Sequence, residues 1–379
     1  MKKKIIICVV CFLVLLVCWI FCYFLFKHNN STNISYSPRE SDWNLHVLTS
    51  IDDEVVGDSM RCGTFQLVRN DMVNEVVKQD VIFTPQLEIV KNLNKQTFTN
   101  KQLSPSSYYS KFWLLTLDLK KEIENWIKEK FNETSDILDQ WADWSQVPQS
   151  DEYYDWKPVK KYWFYAMLKK IFKFENEFDQ LDNWKFDNKY DNIKYFWIRW
   201  ISNSELYSQV YVYYYNSDKD FAVALKTKEW EDVILARWIW WNSFTNIYSN
   251  ILKNENKYKW KHYFTDDDYL KVPELKVNTF TEFSELEKKE FFAINRDVCS
   301  LEKILQTIEL KLDKEGWEIK SEMWASPRAD SSCIGCWNVN KIEHRYFYFD
   351  KPYVMFLKEE DKDLPYFAAQ ISDITLFQS

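Results

Sequence analysis

The stretch "KLDKEGWEIKSEMWASPR", Lys311 to Arg328, begins as a β-strand and then departs from the rules of one. Ile308, Leu310 and Leu312 alternate with polar residues, the two-residue period of a half-buried strand. Glu315-Gly316 then offers a turn, and Trp317 follows at once, where small residues usually sit. Alternation resumes after it. Counted from Gly316, Trp317, Ile319, Ser321 and Met323 point one way, and Glu318, Lys320 and Glu322 the other. A segment with this pattern can enter a sheet as a strand, and it fits an ordinary hairpin arm equally well.

The indole at 317 is one of many. The chain has 19 Trp and 4 Gly in 379 residues, whereas glycine usually makes up about 7% of a globular protein. Trp184 in "LDNWKF", Trp230 in "KTKEWEDVI", Trp260 in "NKYKWKHY" and Trp337 in "GCWNVN" are each ringed by Asp, Asn, Lys or Glu. In such turn contexts an indole has little to pack against, and a positive φ would be strained. Trp238, Trp240 and Trp241 in "ARWIWWNSF" are similar. Two readings stand: UGA codons that mean glycine in the source have been written as tryptophan, or the surface is Trp-rich for binding sugars or aromatic ligands. Trp126, on an apolar helical face, reads as genuine.

"MKKK" precedes 22 uncharged apolar residues, Ile5 to Phe26, long enough to cross a bilayer as a helix. The run is longer than a signal-peptide core and lacks a clear small-residue cleavage site. The leading lysines favour a cytoplasmic N-terminus. The expectation is a single-pass signal-anchor: residues 1–4 a basic cytoplasmic region, 5–26 the span, 27–45 a linker with Asn, Ser and Pro38, and 46–379 an extracytoplasmic domain. Cys18 and Cys22 leave a lipoprotein context open. Without Lys2, Lys3, Lys4 and Lys27 the chain has a net charge of −12, which excludes nucleic acid and anionic lipid as expected partners of the body. No internal repeat stands out.

The coarse pattern places helices first and strands later. "LLTLDLKKEIENWIKEKF" puts Leu119, Ile123, Trp126, Ile127 and Phe131 on one helical face. Residues 163–178 are ambiguous between helix and strand. "SQVYVYYYNSDKDFAVALKTKEWEDVILAR" reads as three strands with turns at Asn216–Asp220 and Lys228–Glu231, followed by a helix near Phe244–Leu252. "YLKVPELKVNTF" is strand-like, "EFSELEKKEFF" helical and "IELKLD" a strand. Two apolar strands, "YFYFDKPYVMFL" and "PYFAAQISDI", close an α+β chain with much antiparallel sheet.

Catalytic constellations are scarce. The four His (28, 46, 262, 344) form no metal-type pair, and no phosphate loop or carboxylate pair stands out. The expectation is no enzyme, no metal and no cofactor. "CIGC", Cys333 to Cys336, lies in a polar loop, without the helical setting of a redox pair or a second CxxC for zinc. Outside the cytoplasm it could close a small disulfide, and Cys62 and Cys299 are a second candidate pair.

Taken together, "LDKEGWE", a long polar loop and "FYFDKPYVMFLKEEDKDLPYFAAQISDI" resemble the end of a serpin, in a divergent, bacterial-type form. In that family a central-sheet strand ends in an acidic/glycine hinge, an exposed reactive loop follows, and then a strand with an aromatic-x-apolar-Asn/Asp-basic-Pro-Phe signature. Phe349, Asp350, Lys351, Pro352 and Tyr353 resemble that signature, with Tyr353 in place of Phe. "VPELKVNTFTEFSEL", "EIENWIKEKFNET" and "DFAVALKTKEWED" resemble three internal blocks, so the resemblance covers about Leu119 to Ile374. Before Tyr108 it is poor, and the buried polar cluster beneath the sheet stays unassigned. Glycine in place of Trp317 improves the hinge match.

The resemblance implies a large central, mostly antiparallel β-sheet with surrounding helices and an exposed reactive loop. Ile308–Leu312 are expected in that sheet and Tyr346–Leu357 in one buried strand. It makes Glu315, Gly316, Trp317 and Glu318 the hinge. It puts the scissile bond near Asp330–Ser331, with Arg328–Ala329 or Lys341–Ile342 as alternatives, inside an exposed segment of about 323–343. The partner implied is a serine protease, trypsin-like if Arg328 is the bait. Ile319, Lys320 and Glu322 depart from the small-residue hinge of efficient inhibitors. A non-inhibitory binding or structural protein of the same fold, and a Trp-rich ligand-binding protein, are therefore the other two readings.

Overall fold

Strands β9 (Val210–Ser217), β10 (Asp220–Lys226) and β11 (Glu231–Arg237) follow the polar turns read from the sequence. The computed structural model describes residues 45–78, 94, 98–114, 116–131, 153–154, 156–170, 173–199, 202–237, 242–259, 262–293, 295–315 and 344–378. The chain divides into two compact units, Met1–Trp43 and Asn44–Ser379. The apolar span 5–26 lies outside the described residues. Among the described residues no helix is long and apolar enough to cross a membrane.

A seven-stranded sheet runs in the order β1 (Leu45–Leu48), β2 (Asp58–Cys62), β18 (Phe367–Ile371), β17 (Tyr353–Glu359), β11, β10, β9. Its central strands carry apolar residues toward both faces, because both are covered. Phe221, Val223, Leu225, Val233, Leu235, Met355 and Leu357 enter one core cluster. Their neighbours Ala222, Ala224, Ile234, Ala236, Val354 and Phe356 enter another on the opposite face. Helix α3 (Phe244–Lys257) covers that second face with Phe244, Ile247, Tyr248 and Ile251. Its first turn is capped by the Ser243 hydroxyl, which accepts from the Asn246 N–H at 3.3 Å.

A five-stranded sheet runs β13 (Leu275–Glu282), β15 (Val298–Leu312), β6 (Lys160–Lys170), β3 (Tyr108–Leu114), with β14 (Glu290–Phe292) also on β15. Alternation along β6 again divides two cores. Tyr162, Phe164 and Ala166 pack with Phe65 and Val68 of α1 (Thr64–Asp71). Trp163, Tyr165 and Met167 pack with Leu119, Ile123 and Ile127 of α2 (Leu117–Phe131). The ambiguous 163–178 stretch is thus strand over its first half. A third sheet has four strands, β16 (Arg345–Tyr348), β12 (Asp268–Pro273), β8 (Tyr190–Ile198) and β7 (Asp179–Phe186).

Several expectations need correcting. In place of one large central sheet the described strands form three larger sheets and a two-stranded one; the three are mostly antiparallel, each with one parallel pairing, β1–β2, β12–β16 and β6–β15. Ile308–Leu312 belong to the five-stranded sheet, not to the largest one. Tyr346–Leu357 is two strands in different sheets, because Asp350 to Pro352 turn the chain from β16 to β17. Helices do not come first, since β1 and β2 precede α1. "EFSELEKKEFF" is not a helix; a short 3-10 turn, Ser284–Leu286, leads through Lys288 at φ 55 into β14. The turn expected at "LDNWKF" falls later, at Asp187 and Asn188 with φ of 53 and 56, and Trp184 sits at a register irregularity within β7. Cys62 and Cys299 are both free thiols, buried in different clusters.

Candidate functional site

The segment singled out by sequence leaves β15 and returns at β16. Of the hinge, Glu315 is described. Gly316, Trp317 and Glu318, the candidate scissile residues Arg328, Ala329, Asp330, Ser331 and Lys341, and Cys333 and Cys336 all lie outside the described residues. The two flanks and the sheet they meet are built as follows.

On the exit side, β15 ends at Leu312 opposite Leu275 of β13. The Asp313 carboxylate accepts from the Glu315 N–H at 3.0 Å and pairs with Lys311. A short strap crosses this end: the Phe174 N–H donates to the Glu315 carbonyl at 3.3 Å, and the Phe178 N–H to the Lys314 carbonyl at 2.9 Å. Lys314 pairs with Glu177 across a largely solvated surface, and that bond raises the lysine pKa. The strap is tied in turn to Gln209, whose side chain accepts from Asn176 N–H at 3.2 Å and donates to its carbonyl at 2.9 Å.

On the return side Arg345 is buried against Asp268, which is more deeply buried still. Its Nε donates to Asp268 Oδ1 at 2.7 Å and its Nη2 to Oδ2 at 2.6 Å, the two-bond fork that suits a carboxylate. Further donors reach the Tyr258 hydroxyl at 3.0 Å and the Tyr263 carbonyl at 2.9 Å. Burial works against the guanidinium charge, but the bonds and charge of Asp268 outweigh it and hold the Arg345 pKa above its ordinary value.

The five signature residues come together where β16 gives way to β17. Phe349 is buried against Phe221 and Tyr353, with ring centroids at 5.2 and 5.3 Å. Its N–H donates to the Lys271 carbonyl at 2.8 Å. Asp350 accepts from Lys271 Nζ at 2.9 Å and lies 3.7 Å from Arg237 Nη1. Burial lowers the Lys271 pKa, with Asp350 opposing it, and the ammonium lies over the rings of Trp184 at 4.2 Å and Tyr348 at 4.5 Å. Lys351 pairs with Asp187 at 3.0 Å, and Pro352 is exposed at the turn. Tyr353 is fully buried, and its hydroxyl has no hydrogen-bond partner among the described residues.

β15 lies between β13, antiparallel to it, and β6, parallel to it from Cys299–Lys160 to Leu310–Lys170. Beneath this β6–β15 seam sits a polar cluster that the sequence reading left unassigned. Gln306 Nε2 donates to Thr64 Oγ1 at 2.9 Å, and Thr64 Oγ1 lies 3.2 Å from the Cys62 thiol. Gln306 is fully buried, and burial pushes the Cys62 thiol pKa up. The signal was legible: Gln306 shares its parity with Ile304, Ile308, Leu310 and Leu312, so an amide stands in an apolar file. Among the described residues no cluster of His, Cys, Asp and Glu suits a metal ion.

No protein-family model matches the chain, and no curated protein does. Among solved structures it is similar to Serpin48, described as a highly specific serpin of the insect Tenebrio molitor. The identity is 11% and the TM-score 0.37, over 68% of this chain and 65% of that one, just under two thirds of its length. It is also similar to serine protease inhibitor (serpin)-12 of Manduca sexta, with 12% identity and a TM-score of 0.47 over 86% and 95% of the two chains. A third likeness is to thyroxine-binding globulin in complex with thyroxine, at 12% identity and a TM-score of 0.41 over 82% and 96%.

Proposed function

We propose that the chain is a serpin-like protein, tethered to a membrane by Ile5–Phe26 with its body outside the cytoplasm. In this reading it is no enzyme: it inhibits a serine protease by offering residues 316–343 for cleavage and inserting the freed hinge as a strand. The observation that carries the proposal is the parallel β6–β15 pairing. A strand that folds back from Glu315 runs antiparallel to β15. At the β6–β15 seam it is antiparallel to both neighbours, so one slanted parallel ladder gives way to two antiparallel ones, which are slightly more stable per residue. On the other side of β15 the same strand would lie parallel to β13. The alternation from Trp317 to Met323 fits such a strand if residue 317 is glycine, which makes UGA decoded as glycine part of the proposal.

The bait lies near Asp330–Ser331, or at Arg328 or Lys341 for a trypsin-like target. A non-inhibitory protein of the same fold is the second reading, favoured by the charged and branched Ile319, Lys320 and Glu322. The test uses the protein carrying Trp317→Gly and Trp324→Gly, nicked within 316–343 and compared with the intact form. Insertion adds a row of sheet hydrogen bonds and buries Ile319 and Met323, each contributing about 1.5–3 kcal/mol if fully buried. The nicked form should therefore melt markedly higher, and an SDS-resistant adduct should form with the target protease. Unchanged melting and no adduct across several serine proteases would remove inhibition and leave the second reading.

A further inference from the structure

Backbone conformation separates the described tryptophans into two kinds. Eight described residues other than glycine have a positive φ. Asp187, Asn188 and Asn192 are among them, and their short polar side chains tolerate that region. Trp156 at φ 66 and Trp230 at φ 60 are not residues of that type; nor are Lys78, Lys288 and Arg296, so it is the hairpin position and exposure of the two indoles, beside their φ, that set them apart.

Each of the two occupies a defined hairpin position. Trp156 immediately precedes β5 (Lys157–Pro158), which pairs with β4 (Tyr153–Tyr154) through Tyr154–Lys157, and Asp155 precedes it in the sequence. Asp-Gly is the preferred dipeptide for a two-residue hairpin loop, because it accommodates positive φ. Trp230 ends the Lys228–Trp230 loop between β10 and β11. The Trp230 N–H donates to the Thr227 carbonyl at 3.3 Å, and the Thr227 N–H to the Glu231 carbonyl at 3.0 Å. That is a three-residue loop whose last member is left-handed, the glycine position of a bulged hairpin. Neither indole is packed: Trp156 is 94% exposed and Trp230 75%. Trp163 and Trp126 differ on both counts. Neither has a positive φ. Trp163 is buried in β6, and the Trp126 ring lies 4.3 Å from that of Tyr109.

We infer that the natural chain carries glycine at 156 and 230 and tryptophan at 126 and 163, so that left-handed hairpin position together with exposure distinguishes misread from genuine among these four described tryptophans. The inference rests on the decoding part of the proposed function and is independent of its hinge. The decisive experiment reads the coding DNA and the mass of the corresponding peptides from the natural source. TGA at 156 and 230, glycine masses there and TGG at 126 and 163 are expected. TGG at 156 and 230, or TGA at 126 or 163, overturns the inference. TGA at 156 and 230 with TGG at 317 upholds it while removing glycine from the hinge; TGA at 317 with TGG at 156 and 230 does the reverse. In the recombinant chain as written, Trp156→Gly and Trp230→Gly should each raise Tm by roughly 2–4 °C, through relief of a strained backbone. Trp163→Gly should lower it. A fall in Tm for both loop variants would overturn the assignment of those positions.

Discussion

Tyr353 stands where the resemblance leads one to expect phenylalanine, and its hydroxyl is the difference between them. The side chain is fully buried, packed against Phe349 at 5.3 Å and Phe186 at 6.3 Å, and Tyr353→Phe keeps both contacts. What it removes is a buried hydroxyl with no partner among the described residues. Burial, with the neighbouring Tyr195 adding to it, pushes the phenol pKa far up, so the group is neutral at any ordinary pH. An unsatisfied buried polar group costs about 1–3 kcal/mol, so the variant should gain up to about that much. Tyr366→Phe is the control. Its hydroxyl is also buried, but it donates to Glu231 Oε2 at 2.6 Å, and a bond to a charged group contributes about 1.5–3 kcal/mol. The same deletion of one oxygen should therefore stabilise at 353 and destabilise at 366. Urea unfolding with unchanged m-values measures both. A loss of more than about 1 kcal/mol at Tyr353→Phe would refute the reasoning, since it would mean that the hydroxyl has a working partner.

Asp268→Asn should destabilise the protein by about 3–5 kcal/mol in the same assay, because it strands the buried Arg345 guanidinium. A loss below about 1 kcal/mol would show the pair to be solvated. Burial raises the Asp58 carboxyl above its ordinary 3.8, against hydrogen bonds from the Ser372 and Asp373 N–H groups. The native state thus binds that proton more tightly, so the contribution of Asp58 is full below the unfolded pKa and is lost as pH rises through the folded one. Asp58→Asn should remove that falling slope between the two values, and an identical acid-range profile would count against it. After a cut within 316–343, amide exchange should quicken at Phe174 and Phe178 and stay slow at Phe349. Quickening at Phe349 alone would reverse the expected order of release.

The sequence was most legible where one residue period governs a whole segment. The β9–β10–β11 run and its turns were readable because alternation and polar turn residues agree over 30 residues. The amphipathic α2 was readable for the same reason, and Leu119, Ile123 and Ile127 are indeed buried. Periodicity does not say which sheet a strand joins. The run from Tyr346 to Leu357 is apolar on both sides of Asp350-Lys351-Pro352, and that turn signal, read through as one strand, marks the passage from the four-stranded sheet to the seven-stranded one. "EFSELEKKEFF" misled for a related reason. Phe283, Leu286 and Phe291 suit a helical face as well as the turn-and-strand that buries them. Of the candidate site, its position between β15 and β16 was legible. The Arg345–Asp268 fork was not, because it joins residues 77 apart through a parallel pairing that sequence spacing does not reveal.

The two flanks of the candidate loop differ in strength, and under the proposed function the difference would give a cleaved loop a direction. On the β15 side, the hinge is held by two backbone hydrogen bonds to the strap and by the Lys314–Glu177 pair, whose side chains are 31% and 52% exposed. An exposed pair of that kind contributes about 0–1 kcal/mol, and the backbone bonds about 0.5–1.5 kcal/mol each. On the β16 side, the chain is fixed by the buried Arg345 fork, whose loss costs about 3–5 kcal/mol, and then by a strand hydrogen-bonded to β12. In the proposed reading a cut between these flanks frees both ends, and the β15 end, the more weakly held of the two, is the one expected to leave its place. That is the end next to the β6–β15 seam, and it carries the alternating segment. If that end inserts as proposed, a few modest bonds are exchanged for a ladder on each side, which would favour insertion from the hinge and retention of β16.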